Sequence, residues 1–167
     1  MYTIVKKKIG AGCASSFYKL KGQKGRGFKV FNSKDDAEIA HINQSKLSAY
    51  DLAPYVYSQV GRVRKSDKSL TGWGFITEIA ELICCPGNSC KCCDREDIMY
   101  DYEQEIDNLV GNMEDCGFSF GDNHPGNVGF VNRDGHRAMV CIDTGDESVL
   151  SDECYCITCR KGGCCRE

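Results

Sequence analysis

Asp122, Asn127 and Asp143 are the residues of this 167-residue chain whose types and spacing can do chemistry. Asp122 and Asn127 stand five positions apart in Gly121-Asp122-Asn123-His124-Pro125-Gly126-Asn127. Asp143 opens the turn Asp143-Thr144-Gly145, directly after the apolar run Val140-Cys141-Ile142. Phosphoryl transfer needs little covalent chemistry from a protein. It needs metal ions on the phosphates, a carboxylate beside the incoming hydroxyl and cations to offset the phosphate charge. An Asp and an Asn separated by a tight loop can face a nucleophile and a metal respectively, and a second Asp at a strand end completes a set of hard oxygen ligands. The same residue types also build ordinary surface turns, so the loop alone leaves both readings open.

The elements that must position these residues are legible as an α+β pattern. Strands are expected over residues 2–9 and 15–20, joined by the Gly-containing turn Gly10-Ala11-Gly12-Cys13-Ala14, and a third over 26–32. Ser33 is placed to cap a helix running to about residue 48, with Asp35, Asp36 and Glu38 at its positive end and Ile39, Ile42 and Leu47 on an apolar face. Pro54 ends helical structure, and 55–63 and 74–79 read as further strands. In 94–116 the residues Ile98, Tyr102, Ile106, Leu109, Val110 and Met113 recur at helical spacing among acidic positions. Two strands near 128–132 and 138–143 flank the turn Asn132-Arg133-Asp134-Gly135, which puts Asn127 and Asp143 at the same end of one hairpin.

In this setting the chain resembles the protein kinase-like superfamily, whose catalytic loop is Asp-x-x-x-x-Asn and whose metal-binding turn is Asp-Phe-Gly. The form Gly-Asp-x-His-Pro-Gly-Asn is similar to the aminoglycoside-phosphotransferase and atypical-kinase branches. The resemblance implies that Asp122 positions or deprotonates the acceptor hydroxyl, that Asn127 and Asp143 hold magnesium, and that His124 takes the place of a lysine near the transferred phosphate. Upstream, Ile9-Gly10-Ala11-Gly12-Cys13-Ala14-Ser15 resembles the start of a glycine-rich phosphate loop, with Gly10 and Gly12 its first two glycines and Ser15 in place of the third. Lys29 in Phe28-Lys29-Val30 falls where the family keeps its phosphate-binding lysine; Glu38 is the expected partner, although it also serves as a helix N-terminal charge. Phe75-Ile76-Thr77-Glu78-Ile79-Ala80 resembles the strand into a hinge, with Thr77 as gatekeeper and backbone groups from Glu78 to Ala80 meeting adenine. The resemblance covers about residues 2–147. It implies a minimal bilobal kinase-like fold, with an antiparallel sheet and one helix in an N-lobe over 1–80 and a much reduced helical C-lobe over 81–167.

Departures from the pattern matter as well. Phe120 stands where the catalytic loop usually has His, and Thr144 replaces the Phe of the metal turn, a pair of changes that can keep one aromatic in a shared contact. Only 22 residues follow Gly145, and no Ala-Pro-Glu is present, so control by an activation segment is not expected. In this economy the chain is similar to small constitutively active kinases of bacterial type III secretion, some of which act on a host chaperone, and to minimal phage or viral kinases. The expected activity is ATP-dependent phosphorylation of Ser/Thr or Tyr hydroxyls on a protein. The alternatives are a small-molecule kinase, a pseudokinase binding module and a Cys-rich binding protein.

Thirteen cysteines lie mainly in two clusters, Cys84, Cys85, Cys90, Cys92, Cys93 and Cys154, Cys156, Cys159, Cys164, Cys165. The second has spacings suited to a thiolate-only structural zinc at Cys154, Cys156, Cys159 and Cys164. Disulfides and free or lipid-modified thiols are the competing readings. A formal net charge of −3 and a pI of about 5.7 argue against a nucleic-acid binder. The longest apolar runs fall well short of a membrane span, and the start of the chain has the wrong order for a signal peptide. The expected location is therefore the cytoplasm, or a host cytoplasm for an effector or viral protein.

Overall fold

The computed structural model describes residues 2–4, 8–11, 15–20, 22–65, 70–83 and 99–151. It is an α+β fold. The strands are β1 (Tyr2–Ile4), β2 (Lys8–Ala11), β3 (Ser15–Lys19), β4 (Arg26–Phe31), β5 (Gly61–Lys65), β6 (Leu70–Glu78), β7 (Glu81–Leu82), β8 (Phe118–Phe120), β9 (Val128–Arg133), β10 (His136–Cys141) and β11 (Val149–Ser151). The helices used below are α1 (Lys34–Ser48) and α2 (Glu103–Asp115).

Six strands form one sheet in the order β1-β5-β6-β4-β3-β2, antiparallel throughout except for the parallel pair β1–β5. Period-two alternation divides β4 between two cores. Phe28 and Val30 pack with Val63, Tyr18 and Ile76 on one face, while Phe31 packs with Phe75, Ala37 and Ala40 beneath α1 on the other. Lys29 lies directly opposite Phe75, which puts it on the α1 face. The helix starts where the sequence marks it: Ser33 is extended at φ −102°, and its hydroxyl accepts from Asp35 N at 3.1 Å and Asp36 N at 3.4 Å.

The second sheet, β10-β9-β7, carries the hairpin. Its turn has positive φ at both Asp134 (50°) and Gly135 (81°), the I′ geometry that matches the twist of the flanking strands. Strands β8 and β11 pair separately. One core joins these parts, with Ile106, Leu109 and Met113 from α2 against Phe118, Phe120, Val128, Cys141 and Val149, and Leu47 arriving from the end of α1.

Several boundaries differ from the sequence expectation. Where one strand is expected over 2–9, Tyr2–Ile4 pairs with β5 and Lys8–Ala11 with β3, and Gly10 lies within β2 instead of in the turn. The expected strand over 55–63 is only a bridge of Val56 to Thr77; Tyr57 N bonds Ile76 O, Glu78 N bonds Tyr55 O, and the ladder proper begins at Gly61. Strands β7, β8 and β11, two or three residues each, were not anticipated. Residue Gly12, the start of the 94–116 helix and both cysteine clusters lie outside the described residues.

Candidate active site

The loop between β8 and β9 closes on itself through side chains. Asn127 Nδ2 donates to Asp122 Oδ2 at 2.8 Å and to Asp122 O at 3.0 Å, and Asn127 N donates to His124 O at 2.9 Å. The five-residue spacing is therefore that of a loop whose two ends hydrogen-bond. Gly126 N donates to His124 Nδ1 at 2.9 Å, so that nitrogen is an acceptor and the imidazole proton sits on Nε2. His124 Nε2 in turn faces Asp122 Oδ2 at 3.5 Å. A Cβ at residue 126 would lie 2.7 Å from His124 Cε1, which accounts for glycine beside that ring. Asn127 uses its amide nitrogen on Asp122, and its oxygen is the end suited to ligation.

Strand pairing brings the second carboxylate to this loop. Cys141 is in register with Val128, and Ile142 N donates to Asn127 O at 2.9 Å, so the residues flanking Asn127 and Asp143 are backbone neighbours. Asp143 Oδ1 accepts from Gly145 N at 3.3 Å. Lys29 reaches the same turn from β4, with Nζ donating to Ile142 O at 2.9 Å and lying 3.9 Å from Asp143 Oδ1. Its ionic partner is thus Asp143, while Glu38 pairs with Lys34 one turn back at 2.9 Å. Burial depresses the Lys29 pKa, against the opposing influence of Asp143 and, more weakly, Cys141. Cys141 is itself fully buried, donates Sγ–H to Asp143 O at 3.0 Å, and has its thiol pKa pushed up chiefly by burial and then by the Asp143 charge.

The remaining expected positions divide. Gly10 sits on β2. Thr77 is buried, and its hydroxyl donates to Tyr55 O at 3.0 Å. Glu78 N bonds Tyr55 O and Ile79 N bonds Gly25 O, so these two donors are used within the chain. The Glu78 carboxylate accepts from Arg133 Nη2 at 2.7 Å and from Tyr55 N at 3.1 Å; Ala80 is the member of the segment outside these bonds. Phe120 belongs to the α2 core, whereas Thr144 is tied by its hydroxyl to Ala40 O of α1 at 3.0 Å.

Asn43 and Gln44, both buried on α1, reach the same region and were missed in the sequence. The signal was present: they lie three and four residues from Ala40 and from Leu47, on the buried stripe, where an apolar residue is expected. Among the described residues no group of three or more His, Cys, Asp or Glu side chains forms a metal cluster, and no helix is long and apolar enough to cross a membrane. The chemistry of the donor set, a carboxylate at Asp143 and an amide oxygen at Asn127, fits a hard cation such as magnesium. No protein-family model matches the chain, and no curated protein matches its sequence.

Proposed function

We propose that this chain is an ATP-dependent phosphotransferase, built on a reduced kinase-like plan and acting on a protein hydroxyl. The observation that carries the reading is the meeting of Lys29 with Asp143 across two sheets, at the strand end next to the bonded pair Asp122–Asn127. A phosphoryl-transfer site needs this combination of a fixed cation, a metal-binding carboxylate–amide pair and a carboxylate open to an acceptor.

Each side chain has a role in this reading. Asp122 orients the acceptor hydroxyl and takes up its proton. Its Oδ2 is held by Asn127 and faced by His124, and in this reading its Oδ1 meets the acceptor. The carboxylate is 52% exposed, which suits an acceptor carried by a macromolecule. Lys29 offsets phosphate charge, and its burial keeps that charge undiluted by water. Asn127 and Asp143 would hold magnesium, which would supply charge neutralisation on the phosphates. His124, whose Nδ1 accepts from Gly126 N, turns Nε2 toward Asp122 and steadies it.

Calorimetric titration with ATP tests the reading. Magnesium-dependent binding is expected in the intact protein, weakened by Lys29→Met and lost in Asp143→Ala. Absence of any ATP binding by the intact protein would overturn it.

A further inference from the structure

Four polar side chains are buried where α1 meets the turn that follows β10. Asn43, Gln44, Thr77 and Thr144 are each at most 2% exposed. Thr144 Oγ1 donates to Ala40 O at 3.0 Å, with Gln44 Oε1 at 3.5 Å. Asn43 Nδ2 donates to Thr144 O at 3.1 Å and to Val149 O at 3.4 Å. Gln44 Nε2 donates to Pro54 O at 2.8 Å and to Thr77 Oγ1 on β6. Helix α1 therefore grips both the side chain and the carbonyl of the residue that follows Asp143.

Buried polar groups are costly unless bonded, and the amides of Asn43 and Gln44 meet the Thr144, Val149 and Pro54 carbonyls, which apolar residues at 43 and 44 would leave without those donors. Asn43 Oδ1 is buried with no partner among the described residues, a cost set against the two bonds of its nitrogen. What the polar residues add is direction. Van der Waals packing tolerates small slides of the turn, whereas bonds to both Thr144 O and Thr144 Oγ1 fix its backbone. Among the described residues the Asp143 carboxylate has only long contacts of its own, Gly145 N at 3.3 Å and Lys29 at 3.9 Å, so its place follows from that backbone, which Cys141 Sγ also holds at Asp143 O.

We infer that Thr144 and Asn43 are positioning residues, through which helix α1 sets the Asp143 carboxylate in its metal-binding place beside Lys29. The inference rests on the phosphotransfer reading for the metal, but the mechanical tie stands apart from it. If the turn were released it would present the metal-binding arrangement only part of the time, and apparent metal affinity would fall by that fraction.

Two readouts on the full chain test this: Mn2+ affinity in the presence of ATP, from water-proton relaxation, and amide exchange at Gly145. Loss of one bond at Thr144 corresponds to about a fivefold change in an equilibrium. Thr144→Val, nearly isosteric, should weaken Mn2+ by about fivefold and speed Gly145 exchange by a similar factor. Thr144→Ser, which keeps the hydroxyl, should restore both. Asn43→Ala provides an independent second variant with the same direction of effect. Normal Mn2+ affinity and normal exchange in Thr144→Val would overturn the inference while leaving the phosphotransfer reading intact. Failure of the intact protein to bind Mn2+ with ATP would overturn that reading and the metal role together, and unchanged Gly145 exchange in Thr144→Val would then overturn the tie as well.

Discussion

Replacing Arg133 with methionine should cost the fold about 3 kcal/mol, because one guanidinium joins the hairpin sheet to the six-stranded sheet. From β9, Arg133 donates to Glu78 Oε2 at 2.7 Å, to Asp51 Oδ1 at 2.6 Å and to Ala53 O at 2.9 Å, and it stacks over the Tyr55 ring at 3.6 Å. These contacts are unequal. Asp51 is 65% exposed, so its pair with Arg133 is screened and worth about 0.5 kcal/mol. Glu78 is 15% and Arg133 13% exposed, so their charge-assisted bond is worth about 2 kcal/mol. The bond to Ala53 O adds about 1 kcal/mol, and removal of Arg133 Nε, buried without a partner among the described residues, returns part of the loss. Urea titration is the assay, with an unchanged m-value and a midpoint shift; by heat, the melting temperature should fall by about 6–12 °C. Asp51→Asn should lose far less than Glu78→Gln, and Arg133→Met with Glu78→Gln should lose less than the two single changes added together. A loss below about 1 kcal/mol, or equal losses at Asp51 and Glu78, would refute the reasoning.

Further outcomes follow from the same geometry. Gly74→Ala would drive a Cβ into Lys29 O and should cost more than about 3 kcal/mol by parting β4 from β6, whereas Gly111→Ala, with open space on α2, should stabilise by about 0.5–1 kcal/mol in the same melting experiment. Gly126→Ala should displace the His124 ring and lower phosphotransfer about tenfold with little change in melting temperature, while Gly121→Ala, where nothing lies within 4 Å, should do neither. Burial lowers the His41 pKa from 6.5, against its bond to Ser58 O and the Glu38 charge, so the unfolded chain takes up that proton first. Stability should therefore fall as pH drops from 6.5 through the lowered native value, and urea midpoints of His41→Gln should show a shallower acid limb. Cys141, buried and kept as a thiol, should resist iodoacetamide in the folded protein and react in urea.

Local signals in the sequence translated well into structure. The Ser33 cap, the Asp134-Gly135 turn and the period of Ile106, Leu109 and Met113 are each decided within a few residues, and each is realised. The hairpin then places Asn127 and Asp143 side by side, so that juxtaposition was legible from spacing and one turn. Non-local pairing was not. The parallel β1–β5 pair and the β8–β11 pair join segments far apart in the chain, and strands of two or three residues have too little alternation to announce themselves. Residues 55–57 look strand-like because they do pair with the end of β6, but only as a bridge. The ionic partner of Lys29 could not be read from helix position either, since it depends on how two sheets meet. Asn43 and Gln44 were passed over because polar residues on a helix are ordinarily assigned to its wet face.

Transfer of label from γ-labelled ATP tests the central claim most directly. The intact protein is incubated with magnesium and a cell lysate, beside an Asp143→Ala control. Label is expected on a lysate protein with the intact chain and on none with the control. Transfer that persists in Asp143→Ala, or no transfer to any protein by an intact chain that binds ATP, would contradict the account.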